Sequence, residues 1–162
     1  MLFAHDGLFA HDGGFGHSRR TIGFFFANDS WTIEYRLKIG ADEAIVEMAH
    51  ADVNGDGQLS AEERESFFRR RMTELGGRLD VKLASGKPLA VVGARFELGS
   101  SLTQTYVFRL PTAERRFDFD DRNFPHKPGS VRIVTGEKVA VEMRAPIDPH
   151  HAERVPLRVA AP

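Results

Sequence analysis

The sequence predicts an α+β fold, an antiparallel β-sandwich or open barrel into which a single helix–loop–helix is inserted. Residues 31–39 alternate strictly between apolar and polar side chains, which is typical of a strand with one buried face. About seven short apolar runs, most of them after residue 78, are separated by turn-forming residues at the spacing of an all-β domain. Between residues 41 and 76 the apolar spacing becomes helical, so a pair of helices interrupts the strands.

The composition is that of one folded domain. The chain has 162 residues, of which 41% are hydrophobic, and this is enough for a single packed core. We therefore assign residues 1–20 to a flexible tail rich in histidine and glycine, and residues 21–162 to one β-rich domain. The net charge of −1 does not suit a nucleic-acid partner. The absence of cysteine excludes disulfides and thiolate metal sites.

Two sequence features bear on the cellular compartment. No stretch approaches the roughly 18 consecutive apolar residues that a membrane-spanning helix needs. No basic residue precedes Arg19, so the N-terminal residues lack the pattern of a secretory signal. We expect the chain either to be cytoplasmic or to be the mature or excised part of a longer protein.

The N-terminal tail contains a near-duplication, LFAHDG followed by LFAHDG, and then a degraded copy, GFGHS. His5, His11 and His17 recur every six residues, which matches neither a helical nor a strand face. These imidazoles could capture a transition metal. A low-complexity leader without packed structure is the alternative, and the frequent glycines favour it.

The first strands and the first helix have clear boundaries in the sequence. We expect strands at Thr21–Phe26 and Trp31–Ile39, separated by turn-forming residues. Gly40 then breaks the second strand. A helix is predicted at Ala41–Ala51, with Ile45 and Met48 on its buried face.

The second helix is predicted to begin at Ser60, because Ser60 and Glu63 form the S-x-x-E capping pattern. It is expected to run to about Leu75 and to be ended by the glycines at 76 and 77. Arginines 69–71 are interpreted as a solvated face. The predicted buried face consists of Phe67, Phe68, Met72 and Leu75.

The remainder of the chain is predicted to form strands joined by short turns. These strands are expected at Leu79–Leu83, Leu89–Val92, around Phe96 and Leu98, Leu102–Leu110, Arg116–Phe119, Val131–Val134, Val139–Met143 and Leu157–Ala160.

Between the two predicted helices, the residues DVNGDGQLSAEE have the spacing of a twelve-residue calcium-binding loop. The side-chain oxygens of Asp52, Asn54 and Asp56, at loop positions 1, 3 and 5, can converge on one ion. Gly57 follows at position 6, where the backbone must turn sharply with positive φ.

The second half of this loop supplies the remaining ligands. Gln58 offers its backbone carbonyl, Ser60 is expected to act through a water, and Glu63 can give two oxygens. About seven oxygen ligands suit Ca²⁺ and are too many for the octahedral shell of Mg²⁺. The alternatives are a solvated acidic turn between two helices and a loop that has lost its metal.

These residues resemble the EF-hand family over about thirty positions. The resemblance implies that the chain binds a calcium ion through Asp52, Asn54, Asp56, Gln58, Ser60 and Glu63. A second loop of the D-x-[DN]-x-[DN]-G type is absent from the sequence.

An unpaired hand with three carboxylates is expected to bind calcium weakly, with a dissociation constant of about 10⁻⁴ to 10⁻³ M. Such a site would be empty in a resting cytosol. The expected location is therefore extracytoplasmic, either periplasmic or at the cell surface.

A second set of residues resembles the soluble domain that precedes the membrane helices of bacterial nickel/cobalt exporters and HupE/UreJ-like proteins. The matching pieces are Trp31–Ile39, the loop at Asp52–Glu63, and D-R-N-F-P at residues 121–125 followed by Pro128 and Gly129. The resemblance implies a transport-associated or partner-binding domain of a bacterial membrane transporter. No membrane span precedes Pro162, so such a protein would be anchored beyond the C-terminus or be free-standing.

Under this alternative, His126, His150 and His151 could join the N-terminal histidines in handling a transition metal. A simple loop is the favoured interpretation of the histidine pair beside Pro149. An enzymatic function is not expected, because the chain contains no nucleophile elbow, P-loop, dinucleotide fingerprint or H-E-x-x-H pattern.

Overall fold

The computed structural model describes residues 19–99, 102–124, 129–150 and 152–162. The predicted tail histidines and His126 and His151 lie outside the described residues, as do Pro125 and Pro128. The strands and helices are β1 (Arg19–Ala27), β2 (Ser30–Lys38), α1 (Ala41–Ala51), α2 (Ala61–Gly77), β3 (Leu79–Leu83), β4 (Pro88–Leu89), β5 (Val92–Leu98), β6 (Thr103–Leu110), β7 (Arg116–Asp121), β8 (Val131–Thr135), β9 (Ala140–Met143) and β10 (Val155–Ala160).

In the residues that the structure describes, the strands form two five-stranded sheets, so the predicted β-rich α+β class is confirmed. The first sheet has the order β5-β6-β2-β1-β8 and the second the order β4-β3-β7-β10-β9. Neighbouring strands are antiparallel except β1 and β8, which are parallel. The chain reaches β8 from β7 of the other sheet, and such a crossover, unlike a tight hairpin, permits parallel pairing. The predicted strand at Leu89–Val92 is instead the end of β4 and the start of β5.

The predicted alternation in β2 is confirmed by burial. Trp31, Ile33, Tyr35 and Leu37 are fully buried, while the polar residues between them are more exposed. A two-residue turn at Asn28 and Asp29, both with positive φ, joins β1 to β2.

Aromatic side chains from the two sheets meet in the core. Phe24 of β1 lies edge-on to Phe119 of β7, with ring centroids 5.0 Å apart. Trp31 of β2 lies edge-on to Phe117 of β7 at 4.9 Å. The apolar faces of both sheets therefore contribute to one hydrophobic core.

The first helix has the predicted bounds but not the predicted buried face. Ile45 and Met48 are 65% and 55% exposed, whereas Ala44 and Ala51 are buried. Glu47 lies on the same side of the helix as these two alanines. Its Oε1 is 3.2 Å from Nη2 of Arg71, which belongs to α2. Because residues 44, 47 and 51 define the inward face, Ile45 and Met48 fall outside it.

The predicted buried face of α2 is confirmed, but two details differ. Phe68 and Leu75 are buried, and Phe67 and Met72 pack against the core. The helix continues through both glycines to Gly77 instead of ending before them. At position 76 a Cβ would lie 3.0 Å from the Phe108 ring, so the small residue allows α2 to approach β6 closely.

The other predicted features have mixed outcomes. Arg71 is half-buried, so it does not belong to the solvated face expected for residues 69–71. His150 is exposed in a turn and its N–H donates to Asp148 Oδ1, as the loop interpretation predicted. In the described part of the chain, neither helix has both the length and the apolar character needed to cross a membrane.

Candidate metal centre

The acidic loop connects α1 and α2 and is exposed over most of its length. Gly55 and Gly57 have φ values of +72° and +78°, so the chain reverses where the sequence predicted a sharp turn. A side chain at either position would be strained in this backbone conformation.

The carboxylate of Asp52 organises the first half of the loop. Its Oδ1 accepts hydrogen bonds from the N–H groups of Gly55 at 2.8 Å and Asp56 at 3.2 Å. Its Oδ2 accepts from the N–H of Gly57 at 2.8 Å. The loop backbone therefore folds around this single side chain. This arrangement is common for an aspartate at the start of a turn.

Two further predicted ligands continue this pattern. Asn54 Oδ1 accepts from the N–H of Asp56 at 2.9 Å, and Asp56 Oδ1 accepts from the N–H of Gln58 at 2.8 Å. The side chains also meet directly, because Asn54 Nδ2 donates to Asp56 Oδ2 at 3.2 Å. The side chains at loop positions 3 and 5 are thus in contact through the amide nitrogen of Asn54 and a carboxylate oxygen of Asp56.

Glu63 joins the two ends of the loop. Its Oε2 accepts from the N–H and the hydroxyl of Ser60, at 3.0 and 2.7 Å. Its Oε1 accepts from the N–H groups of Val53 at 3.1 Å and Asn54 at 3.3 Å. In return, the N–H of Glu63 donates to Ser60 Oγ at 3.2 Å, which completes the predicted capping box at the start of α2.

The donor set fits a hard cation. Carboxylates at 52, 56 and 63, an amide oxygen at 54 and a hydroxyl at 60 are the oxygen ligands that Ca²⁺ takes. The backbone N–H groups of the loop are hydrogen-bonded to these same oxygens. Within residues 19–99, 102–124, 129–150 and 152–162, no three acidic or histidine side chains are close enough together to form a metal cluster.

The electrostatics of Glu63 follow from its hydrogen bonds. The hydroxyl of Ser60, followed by the Ser60 N–H, lowers the pKa of the Glu63 carboxyl below its ordinary value. A carboxyl with a lowered pKa stabilises the folded state above its unfolded pKa of about 4.3. This contribution is lost as the pH falls through the folded pKa.

Replacing Ser60 by alanine is expected to cost about 1 kcal/mol of stability, because the N-cap acceptor for the Glu63 N–H is removed. The same change should raise the pKa of Glu63 towards its ordinary value. Denaturant unfolding and an NMR pH titration of the Glu63 carboxyl measure the two effects. Ser66→Ala, on the exposed side of α2, is the matched control. An unchanged Glu63 pKa in the Ser60 variant would contradict the assigned cause.

Polar side chains also hold the helix pair against the first sheet. Glu47 of α1 pairs with Arg71 of α2 and accepts a hydrogen bond from Gln104 Nε2 on β6. The Tyr106 hydroxyl donates to Gln104 Oε1 at 2.7 Å, and burial raises the pKa of this hydroxyl. The two helices that flank the loop are thus tied to each other and to β6.

A second polar cluster joins residues of the two sheets and is not predicted as a unit from the sequence. Arg20 Nη1 donates to Asp121 Oδ2 at 2.8 Å, and both side chains are fully buried. The Tyr35 hydroxyl donates to the same oxygen at 2.9 Å. Burial raises the pKa of the Asp121 carboxyl, and the Arg20 guanidinium opposes this shift.

Strand alternation could have revealed this cluster. Asp121 continues the inward-facing series of Phe117 and Phe119, and Arg20 precedes Ile22 and Phe24 in the same way. The sequence predicts a first strand that begins at residue 21 and a later strand that ends at residue 119, so neither charged residue falls within a predicted strand.

No protein-family model matches the chain, and neither the curated proteins nor the solved structures give a match. The resemblances to EF-hand proteins and to the soluble domains of nickel/cobalt exporters therefore stay predictions.

Proposed function

We propose that this protein is a non-enzymatic module that binds one calcium ion in the loop between α1 and α2. The observation that carries this proposal is the closure of the loop by Glu63. This carboxylate, at loop position 12, lies against the N–H groups of Val53 and Asn54 at positions 2 and 3. Glu63 thus lies against the first half of the loop, from which Asp52 and Asn54 would supply further oxygen ligands.

The ligand set follows from the donors available. Asp52, Asn54 and Asp56 would give side-chain oxygens, and Gln58 its backbone carbonyl. Ser60 would act through a water and Glu63 would give both carboxylate oxygens. Bound calcium would supply two positive charges, which offset two of the three negative charges on the loop carboxylates.

The present partners of these oxygens favour weak binding. Each carboxylate oxygen of Glu63 already accepts two hydrogen bonds, so an incoming cation must displace donors from this side chain. Three carboxylates in one unpaired loop also place the dissociation constant at about 10⁻⁴ to 10⁻³ M. This range suits an extracytoplasmic compartment, where calcium reaches millimolar levels.

The role that we propose for the ion is structural or low-affinity regulatory. Calcium would connect the end of α1, at Asp52, with the first turn of α2, at Glu63. The helix pair would then be stiffened against a body whose sheets we infer to pack face to face as a sandwich. The edge-on ring contacts between Phe24 and Phe119, and between Trp31 and Phe117, support this packing.

Isothermal titration calorimetry of the metal-free protein with calcium tests the proposal. The wild type is expected to release or absorb heat with a midpoint near millimolar calcium. Glu63→Gln is expected to weaken binding at least tenfold, because a carboxylate that can give two oxygens becomes a neutral amide. Glu62→Gln changes the adjacent exposed residue in the same way and should leave the titration unchanged.

A stability measurement provides an independent check. With a dissociation constant of about 10⁻³ M, roughly 10 mM calcium should stabilise the fold by about 1.4 kcal/mol. Asp52→Ala should remove this stabilisation. Identical unfolding curves with and without calcium, together with no heat of binding, would reject the calcium site.

A further inference from the structure

The C-terminal end of α2 is held by the segment that follows β7. Asn123 Nδ2 donates to the carbonyl of Leu75 at 3.2 Å, and the N–H of Arg122 donates to the carbonyl of Arg78 at 3.1 Å. Leu75 lies in the last turn of α2, and its carbonyl accepts both this amide and the N–H of Arg78, the latter at 3.1 Å. Asn123 is 2% exposed, so this contact is buried.

The same segment is fixed to both sheets. Asp121 Oδ1 accepts from the N–H and the side-chain amide of Asn123, at 2.9 and 2.8 Å. Arg20 Nη1 donates to the carbonyl of Asn123 at 3.1 Å as well as to Asp121. Another donor group of Arg20 reaches the carbonyl of Ala152, next to β10. Asn123 therefore joins the end of α2 to a buried ion pair.

Phe124 contacts one arginine from β1 and one from the middle of α2. Guanidinium groups from Arg20 and Arg71 lie over its ring, with distances of 5.8 and 5.7 Å to the ring centroid. Arg71 in turn pairs with Glu47 of α1. The φ of Phe124 is +59°, a backbone conformation that the surrounding contacts must hold in place.

We propose that the buried Arg20–Asp121–Asn123 cluster sets the calcium affinity of the loop by holding α2 in its binding-competent position. The inference rests on the calcium site proposed above. Asn123 would be a positioning residue, because it contacts the carbonyl of Leu75 and is remote from the loop ligands.

The continuity of α2 supplies the physical connection. Glu63 lies in the first turn of this 17-residue helix and Leu75 in the last. Leu75 is twelve positions after Glu63, which corresponds to about 18 Å at a rise of 1.5 Å per residue. Asp52, at the other end of the loop, follows α1, which is tied to α2 through Glu47 and Arg71. A loosened α2 would therefore change the distance between the first and last ligands.

The fraction of molecules with a correctly positioned α2 determines how the calcium affinity changes. If only a fraction of molecules holds α2 in the competent position, the apparent dissociation constant rises by the inverse of that fraction. Linkage then requires the reciprocal effect, in which bound calcium strengthens the contacts at the far end of the helix.

Calcium titration of Asn123→Ala tests this coupling. We expect its dissociation constant to rise about three- to tenfold, although every loop ligand is intact. Asp118→Asn is the matched control, since Asp118 lies on the same strand and contacts Arg144 and Arg158, away from α2. An affinity equal to that of the wild type in a folded Asn123 variant would overturn the proposal.

Hydrogen exchange in the wild-type protein decides the matter if Asn123→Ala does not fold. The amides of Arg122 and Asn123 should exchange about three- to tenfold more slowly with saturating calcium. Glu63→Gln should show no such calcium effect. Normal heat of calcium binding without any added protection of these amides would refute the coupling alone. Absence of the heat itself would reject the calcium site and with it this inference.

Discussion

Replacing Asp121 with alanine is expected to lower the free energy of unfolding by about 3–5 kcal/mol. The substitution leaves the Arg20 guanidinium fully buried without its carboxylate partner. It also removes the acceptor for the Tyr35 hydroxyl and for both N–H donors of Asn123. Urea denaturation of the wild type and the variant measures the loss.

A double variant tests whether the loss of stability comes from an unpaired buried charge or from lost packing. Arg20→Met combined with Asp121→Leu removes both charges together and should be less destabilising than Asp121→Ala alone, because no charge is left unpaired. Asp118→Asn on the same strand should cost about 1 kcal/mol or less, since its arginine partners are solvent-exposed. If the Asp121 variant is as stable as the Asp118 variant, the buried ion pair does not make the predicted contribution to stability.

Phe117→Ala is expected to cost about 3–5 kcal/mol through loss of buried surface and formation of a cavity. The Phe117 ring is fully buried and lies edge-on to Trp31, with a centroid distance of 4.9 Å. It also lies 6.1 Å from the Phe24 ring. Because Trp31 and Phe24 belong to the other sheet, the substitution weakens the contact between the sheets.

The matched control for this prediction is Phe67→Ala. Phe67 also lies edge-on to an aromatic neighbour, Phe68, at 5.3 Å, but it is only partly buried on α2. Its removal should therefore cost less than that of Phe117 when both are measured by denaturant unfolding. Equal losses for the two variants would argue against a shared aromatic core between the sheets.

Local patterns predicted much of this fold because they depend on near neighbours in the chain. The alternation from Trp31 to Leu37 and the bounds of α1 needed only strand and helix periodicity. The parallel pairing of β1 with β8 could not be predicted in this way, because it depends on how the chain crosses between the sheets.

Charged residues caused the main errors in the predicted core. The predicted buried face of α1 does not include Glu47, yet this residue faces Arg71 and Gln104. The predicted strands likewise do not include Arg20 and Asp121, and both residues are buried. A charge can occupy an inward-facing position when its partner is supplied by a residue distant in sequence, and the partner is not visible from local pattern.

The candidate loop was easier to predict than the buried cluster. The glycine turn and the capping box of Ser60 and Glu63 involve residues close in sequence, and both were expected. The hydrogen bonds from loop N–H groups to the carboxylates of Asp52 and Glu63 could not be predicted in this way, because they depend on the path of the backbone.

Trp31 is the single tryptophan of the chain, and its position makes it an internal optical probe. Its indole is fully buried beside Phe26 and Phe117, and its N–H donates to the carbonyl of Glu114 at 2.8 Å. Indole fluorescence shifts to longer wavelength when the ring becomes hydrated. Emission from this one residue should therefore follow separation of the two sheets without any added label.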